Sequence, residues 1–82
     1  MNKDNKTHFL KITQHWFNEL SNGKSFEVRK NDRDYKTGDV LNIYVPDTMD
    51  TRSFRVTYVL TAEQFSDGIK EGYCVLGIKE IV

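Results

Sequence analysis

The sequence has one cysteine, Cys74, so no disulfide can close within the chain, and a reducing compartment is the setting it fits. No apolar run approaches the ~18 residues that a membrane-crossing helix needs, so no membrane partner is expected. The opening residues are polar and lack the apolar stretch of a signal peptide. Residues 1–7 therefore read as a flexible leader, and the cytoplasm is the expected location. Excess charge is missing too: 12 Lys and Arg stand against 12 Asp and Glu. A protein living on a long phosphate footprint usually carries a strongly basic domain, so that class is disfavoured. A local basic patch or the recognition of one base stays open. There is no internal repeat and no low-complexity tract. His8 and His15 have no third ligand at metal-site spacing, so no metal is expected, and nothing implies a cofactor.

What remains is a chain of 82 residues, which fits one domain, taken as 8–82. With 38% hydrophobic residues in so short a chain, most large apolar side chains must serve the core. Any site should then be a shallow cleft at the domain's own seam. His8 to Ile12 reads as a short strand. Thr13 can cap a helix over Gln14 to Asn22, with Trp16, Phe17 and Leu20 on its buried stripe. Trp16 could stack on a base, but beside Phe17 and Leu20 a core role is expected. Asn22-Gly23 supplies a left-handed stop.

Strands follow at Ser25–Lys30, Val40–Val45, Ser53–Leu60 and Tyr73–Ile81. The third of these four alternates, with Phe54, Val56, Tyr58 and Leu60 on one face. The last has apolar residues on both faces, which suits a central position. Cys74, within it, reads as inert core. Gly38 in Lys36-Thr-Gly-Asp39 is the natural residue for positive φ. Thr61 to Glu71 has no clear period and could hold a turn of helix near Glu63 to Phe65. The predicted architecture is α+β: a small β-barrel of about five strands, with one N-terminal helix capping it.

The only concentrated chemistry lies between Lys24 and Arg33. Lys24, Arg29, Lys30 and Arg33 oppose Glu27 and Asp32, a local charge of +4 − 2 = +2. Strand alternation puts Glu27 and Arg29 on one face and Phe26 and Val28 on the other, where they are expected to anchor the core. Lys24 stands just before the strand, at the helix end. Arg29 can offer a planar fork to a carbonyl, carboxylate or phosphate. Glu27 can accept from an amine or act as a base, and Lys24 can place a charge or, if desolvated, act as a base. The plainer alternative is that Glu27 and Arg29 only pair with each other on a half-exposed sheet face, worth ~0–1 kcal/mol. Arg52 and Arg55 read as solvated strand charges that could extend a basic rim.

The stretch Lys24-Ser-Phe-Glu-Val-Arg-Lys-Asn-Asp-Arg33, followed by Tyr35-Lys-Thr-Gly-Asp-Val-Leu41, resembles the ASCH family (activating signal cointegrator homology) of the PUA-like superfold. The family pattern is Gly-x-Lys-x-x-Glu-x-Arg with a later Gly-Asp turn. With His8-Phe-Leu-Lys-Ile12 upstream and Glu71-Gly-Tyr-Cys-Val-Leu-Gly-Ile78 downstream, the chain is similar to a small bacterial and phage subgroup of unassigned function. The resemblance implies a PUA-like barrel with a ligand cleft between helix and barrel, faced by Lys24, Glu27 and Arg29. His8, Lys11, Asn31, Asp32 and Arg33 are secondary ligand-binding expectations. It also implies binding of RNA or a nucleotide-like small molecule. Two departures stand out. Asn22 holds the family's glycine position, with Gly23 shifted by one. Glu27 holds the place of the threonine nucleophile of the amidohydrolase branch, and a carboxylate cannot replace a hydroxyl in that acyl transfer. Ser25 is not in the equivalent place, and no residue clearly matches that branch's later acid, for which Glu63 and Glu71 are no more than candidates. A non-enzymatic binding module is therefore the leading expectation. The alternatives are a small hydrolase acting on a modified nucleoside, with Lys24 or Glu27 as catalytic base, and a protein-interaction domain.

Overall fold

The computed structural model describes residues 4–82. It contains β1 (Thr7–Lys11), α1 (Gln14–Ser21), β2 (Phe26–Lys30), β3 (Val40–Tyr44), β4 (Thr51–Thr61) and β5 (Tyr73–Glu80). The strands form one sheet in the order β1-β3-β4-β5-β2. Only the β1–β3 pair is parallel. The sheet curls into a half-barrel, as the α+β expectation required. Its concave side holds Leu10, Leu41, Ile43, Phe54, Val56, Cys74, Leu76 and Ile78, and α1 adds Phe17 and Leu20 to the same core. No helix among the described residues is long and apolar enough to cross a membrane.

The curl leaves β1 and β2 as the two sheet edges, and side chains tie them across the gap. Lys6 O and Ile12 N bond to β3 neighbours, so the even-numbered residues of β1 turn their peptide groups to β3. The peptide groups of Phe9 and Lys11 then face away from β3. Arg29 Nη2 donates to Lys11 O at 3.0 Å, and Arg33 Nη1 donates to Phe9 O at 3.0 Å. Two guanidinium groups thus stand in for the missing strand-to-strand ladder.

Local signals set the element ends. Thr13 caps α1, its hydroxyl accepting from Trp16 N. Gly23 takes φ +98°, and Lys24 N–H closes back on Glu19 O at 3.0 Å. This left-handed stop delivers Lys24 to the start of β2. Gly38 takes φ +97°, as the turn required.

Three expectations are corrected by burial and register. Trp16 is 49% exposed and the helix buries only Phe17 and Leu20. Adjacent helical residues point about 100° apart, so one stripe cannot centre on both Trp16 and Phe17. Phe26 and Val28 are 44% and 55% exposed, while Glu27 is only 3% exposed. The alternation of β2 holds, but its sense is reversed. The face of β4 breaks at Thr57, where a bulge shifts the register between Val56 and Tyr58. Tyr58 consequently turns outward, and Val59 packs on the core instead. Gly77 lies beneath the bulge, and a Cβ there would meet Thr57 Oγ1 at 3.1 Å. Residues 62–72 form successive turns, and near Glu63 to Phe65 one helical turn closes as expected, Gln64 N and Phe65 N both donating to Thr61 O at 3.1 and 3.2 Å.

Of the expected leader, residues 1–3 lie outside the described residues. Asn5, Lys6 and Thr7 are held: Asn5 Nδ2 and Lys6 N both donate to Asp39, and Thr7 begins β1.

Candidate functional site

The reversal of β2 has a physical cause. Glu27 is buried because two cations reach it from either side along the chain. Arg29, two residues on and so on the same face, sends Nε (3.1 Å) and Nη2 (2.9 Å) to Oε1. Lys24, delivered by the glycine stop, pairs with Oε2. A buried carboxylate with three charge-assisted donors is tolerable, whereas an unpaired one is not. Lys24 and Arg29 keep 15% and 22% side-chain exposure, so the cluster is closed on its acid side and open on its cation side. The plain alternative, a weak pair on a half-exposed face, does not describe this arrangement.

The open side meets a cavity of about 680 Å³ between α1 and the β2 edge. Its walls include Lys11, Trp16, Lys24, Phe26, Glu27 and Arg29. The Lys24 ammonium lies 5.6 Å from the Trp16 ring centre and 5.2 Å from that of Phe26. His15 packs edge-on to Trp16 with ring centres 4.6 Å apart. Trp16 is thus exposed yet held by neighbours, an arrangement that lowers the entropy cost of stacking a ligand.

A family model described as "Domain of unknown function (DUF3850)" matches residues 7–78. The chain belongs to this family. No curated protein matches the chain. The span shared with the DUF3850 family runs from the first residue of β1 into β5, and it includes every residue of the cavity.

The other expected site residues divide into four groups. Lys11 lines the main cavity, and its carbonyl accepts from Arg29. Asp32 and Arg33 line a smaller cavity that shares Arg29 with the first. Asn31 is exposed and lines neither of these two cavities; its N–H donates to Gly72 O at 2.8 Å.

His8 belongs elsewhere. Its Nε2 lies 2.8 Å from Asp39 Oδ2, and its ring is 4.8 Å from that of Tyr35. Asp39, 1% exposed, also accepts from Asn5 Nδ2 (3.1 Å), Lys6 N (3.0 Å) and Lys36 N (3.0 Å). Burial alone would push its carboxyl up, but these four bonds together outweigh burial and hold it below its ordinary value. This cluster fastens β1 and the Gly38 turn together.

Arg52 and Arg55 are not free surface charges. Arg52 lies over the Phe17 ring at 5.4 Å and pairs with Glu80 at 3.6 Å. Arg55 Nη1 donates to Gly38 O at 2.8 Å. Cys74 is fully buried, and burial pushes its thiol up, which makes it an inert core residue.

Trp16 and Phe26 are the site residues that hydrophobic patterning misassigned. The signal for them was in the charges: a glutamate with a lysine three residues before and an arginine two residues after can be buried, which sends its apolar neighbours outward.

Proposed function

We propose that the cavity between α1 and β2 is a binding site for RNA or a nucleotide-like ligand. The carrying observation is the exposed, braced Trp16 standing beside two cations that are only partly spent on Glu27. A base stacks on the indole, with Phe26 as the second apolar wall. Lys24 and Arg29 donate to carbonyl or ring-nitrogen acceptors. Glu27 positions the two cations and does not read the ligand, because both its oxygens already accept from them. That same commitment weighs against Glu27 as a catalytic base. The resemblance of the Lys24–Arg33 stretch to the ASCH family favours the same reading.

Trp16 is the only tryptophan, so its fluorescence reports on the cavity alone. Titration with a nucleoside panel and short RNA should quench it saturably in the wild type, and Arg29→Ala should abolish the response. No saturable change with any of these ligands would refute the proposal.

A protein-interaction domain is the second reading, supported by the outward-facing Val28 and Tyr58 on β2 and β4. Under that reading, Val28→Lys with Tyr58→Lys abolishes capture of a cellular protein that survives nuclease treatment. Capture unchanged in the double variant would discard it.

A further inference from the structure

The second cavity, of about 230 Å³, is lined by Leu10, Arg29, Lys30, Asp32, Arg33 and Tyr35. Three of these residues are cations and one is an anion. Tyr35 is more than nine-tenths buried, and its hydroxyl makes no hydrogen bond among the described residues. No buried side-chain polar atom of the described residues lacks a partner, so this hydroxyl keeps access to solvent. Tyr35 is one of the residues that line this cavity. Burial pushes the phenol up, against the pull of Arg33 and Arg29, so it stays a protonated donor at neutral pH.

Arg33 uses Nη1 on Phe9 O, and the bonds of Arg29 leave its Nη1 without a partner among the described residues. Lys30 has no ion pair among them. The hollow therefore offers several unspent donors, three of its lining residues being cations against the single carboxylate of Asp32, a local charge of +3 − 1 = +2. That is the chemistry of an oxyanion site. Arg29 is common to both cavities, so an anion here adjoins whatever occupies the larger one.

We infer that this smaller cavity is a phosphate subsite, so that the ligand of the larger cavity is a phosphate-bearing nucleotide and not a bare nucleoside. The inference rests on the nucleotide reading above. The phosphate can be that of a free mononucleotide or an internal phosphodiester of RNA, and the test separates them.

Uridine and adenosine, their 5′-monophosphates, and dinucleotides with one phosphodiester are titrated against the full chain by Trp16 fluorescence. Pyrophosphate alone is titrated by NMR on the amides of Lys30, Arg33 and Tyr35. A phosphate-bearing ligand should bind about tenfold or more tighter than its nucleoside. Arg33→Gln and Tyr35→Phe should each shrink that advantage, and Tyr35→Phe keeps the ring packing if Arg33→Gln loosens the seam. A gain seen with the monophosphate identifies a free nucleotide; a gain confined to the dinucleotide identifies RNA. Equal affinity for nucleoside and nucleotide, with quenching intact, overturns the subsite and leaves the base-binding reading standing. So does an advantage that survives both substitutions. Pyrophosphate shifts at these amides without any nucleoside response would keep the anion site and remove the base reading. Silence from every ligand removes both.

Discussion

Two carboxylates are almost fully buried in this small domain, and they do opposite things. Asp39 accepts four hydrogen bonds from Asn5, Lys6 N, His8 and Lys36 N, and it lines neither of the cavities at Arg29. Every donor belongs to a segment that must be held: the lead-in to β1, β1 itself, or the Gly38 turn. Glu27 accepts from two long cationic side chains that remain partly exposed and border a cavity of about 680 Å³. Equal burial therefore says little about role. The identity of the donors decides it: main-chain and short side-chain donors make a fastening, whereas partly exposed cations bordering open space make a place for a ligand.

The comparison can be broken first at Asp39. Asp39→Ala orphans two main-chain N–H groups and two side chains at once, and should cost about 4 kcal/mol in urea unfolding. A loss under about 1 kcal/mol would mean the cluster is not a fastening. The wild type supplies a companion test. Because the folded-state pKa of Asp39 is lowered, its stabilisation is complete above about pH 4, the unfolded-state value, and is lost as pH falls through the folded-state value. Unfolding curves between pH 6 and pH 2 should show this decline, and Asp39→Asn should flatten it.

Arg29→Ala comes next. It leaves Oε1 of a buried carboxylate unpaired and removes a tie across the seam, so about 3 kcal/mol should be lost along with ligand response. If stability falls by that amount and ligand response survives, Arg29 is structural and the contrast with Asp39 dissolves. Gly38→Ala puts a side chain at φ +97° with its Cβ 2.6 Å from Asn5 Oδ1, next to the Asp39 cluster. The expected cost is about 1–2 kcal/mol, and an unchanged melting temperature would contradict it. The smallest stability effect belongs to Trp16→Ala, within about 0.5 kcal/mol for so exposed a ring, although ligand affinity should drop about tenfold. A large stability loss there would make Trp16 a core residue after all. With no tryptophan left, affinity in this variant is read by calorimetry.

Most of the fold was legible because each element carries its own local signal. Thr13 and Gly23 bracket the helix, Gly38 marks its turn, and period-two alternation marks β2. Which side of β2 faces inward was not legible from hydropathy, since Phe26 and Val28 outrank Glu27 and Arg29 on any apolar scale. The answer lies in pairing across secondary elements, where Lys24 at the helix stop reaches the same carboxylate as Arg29. The β4 bulge was equally hidden in the alternation of β4 itself. Its sign is in the partner strand, where Gly77 makes room for Thr57. At the site, the grouping of Lys24, Glu27 and Arg29 was readable from spacing. The aromatic wall was not, because it follows from the inversion.

The contrast between the two acids is tested most directly by amide and indole NMR shifts during titration with a nucleoside monophosphate. The account predicts movement at the Trp16 indole N–H, Gly23, Lys24 and Arg29, with Asn5, His8 and Asp39 unmoved. Shifts centred on Asp39 and His8, with the Trp16 indole silent, would contradict it.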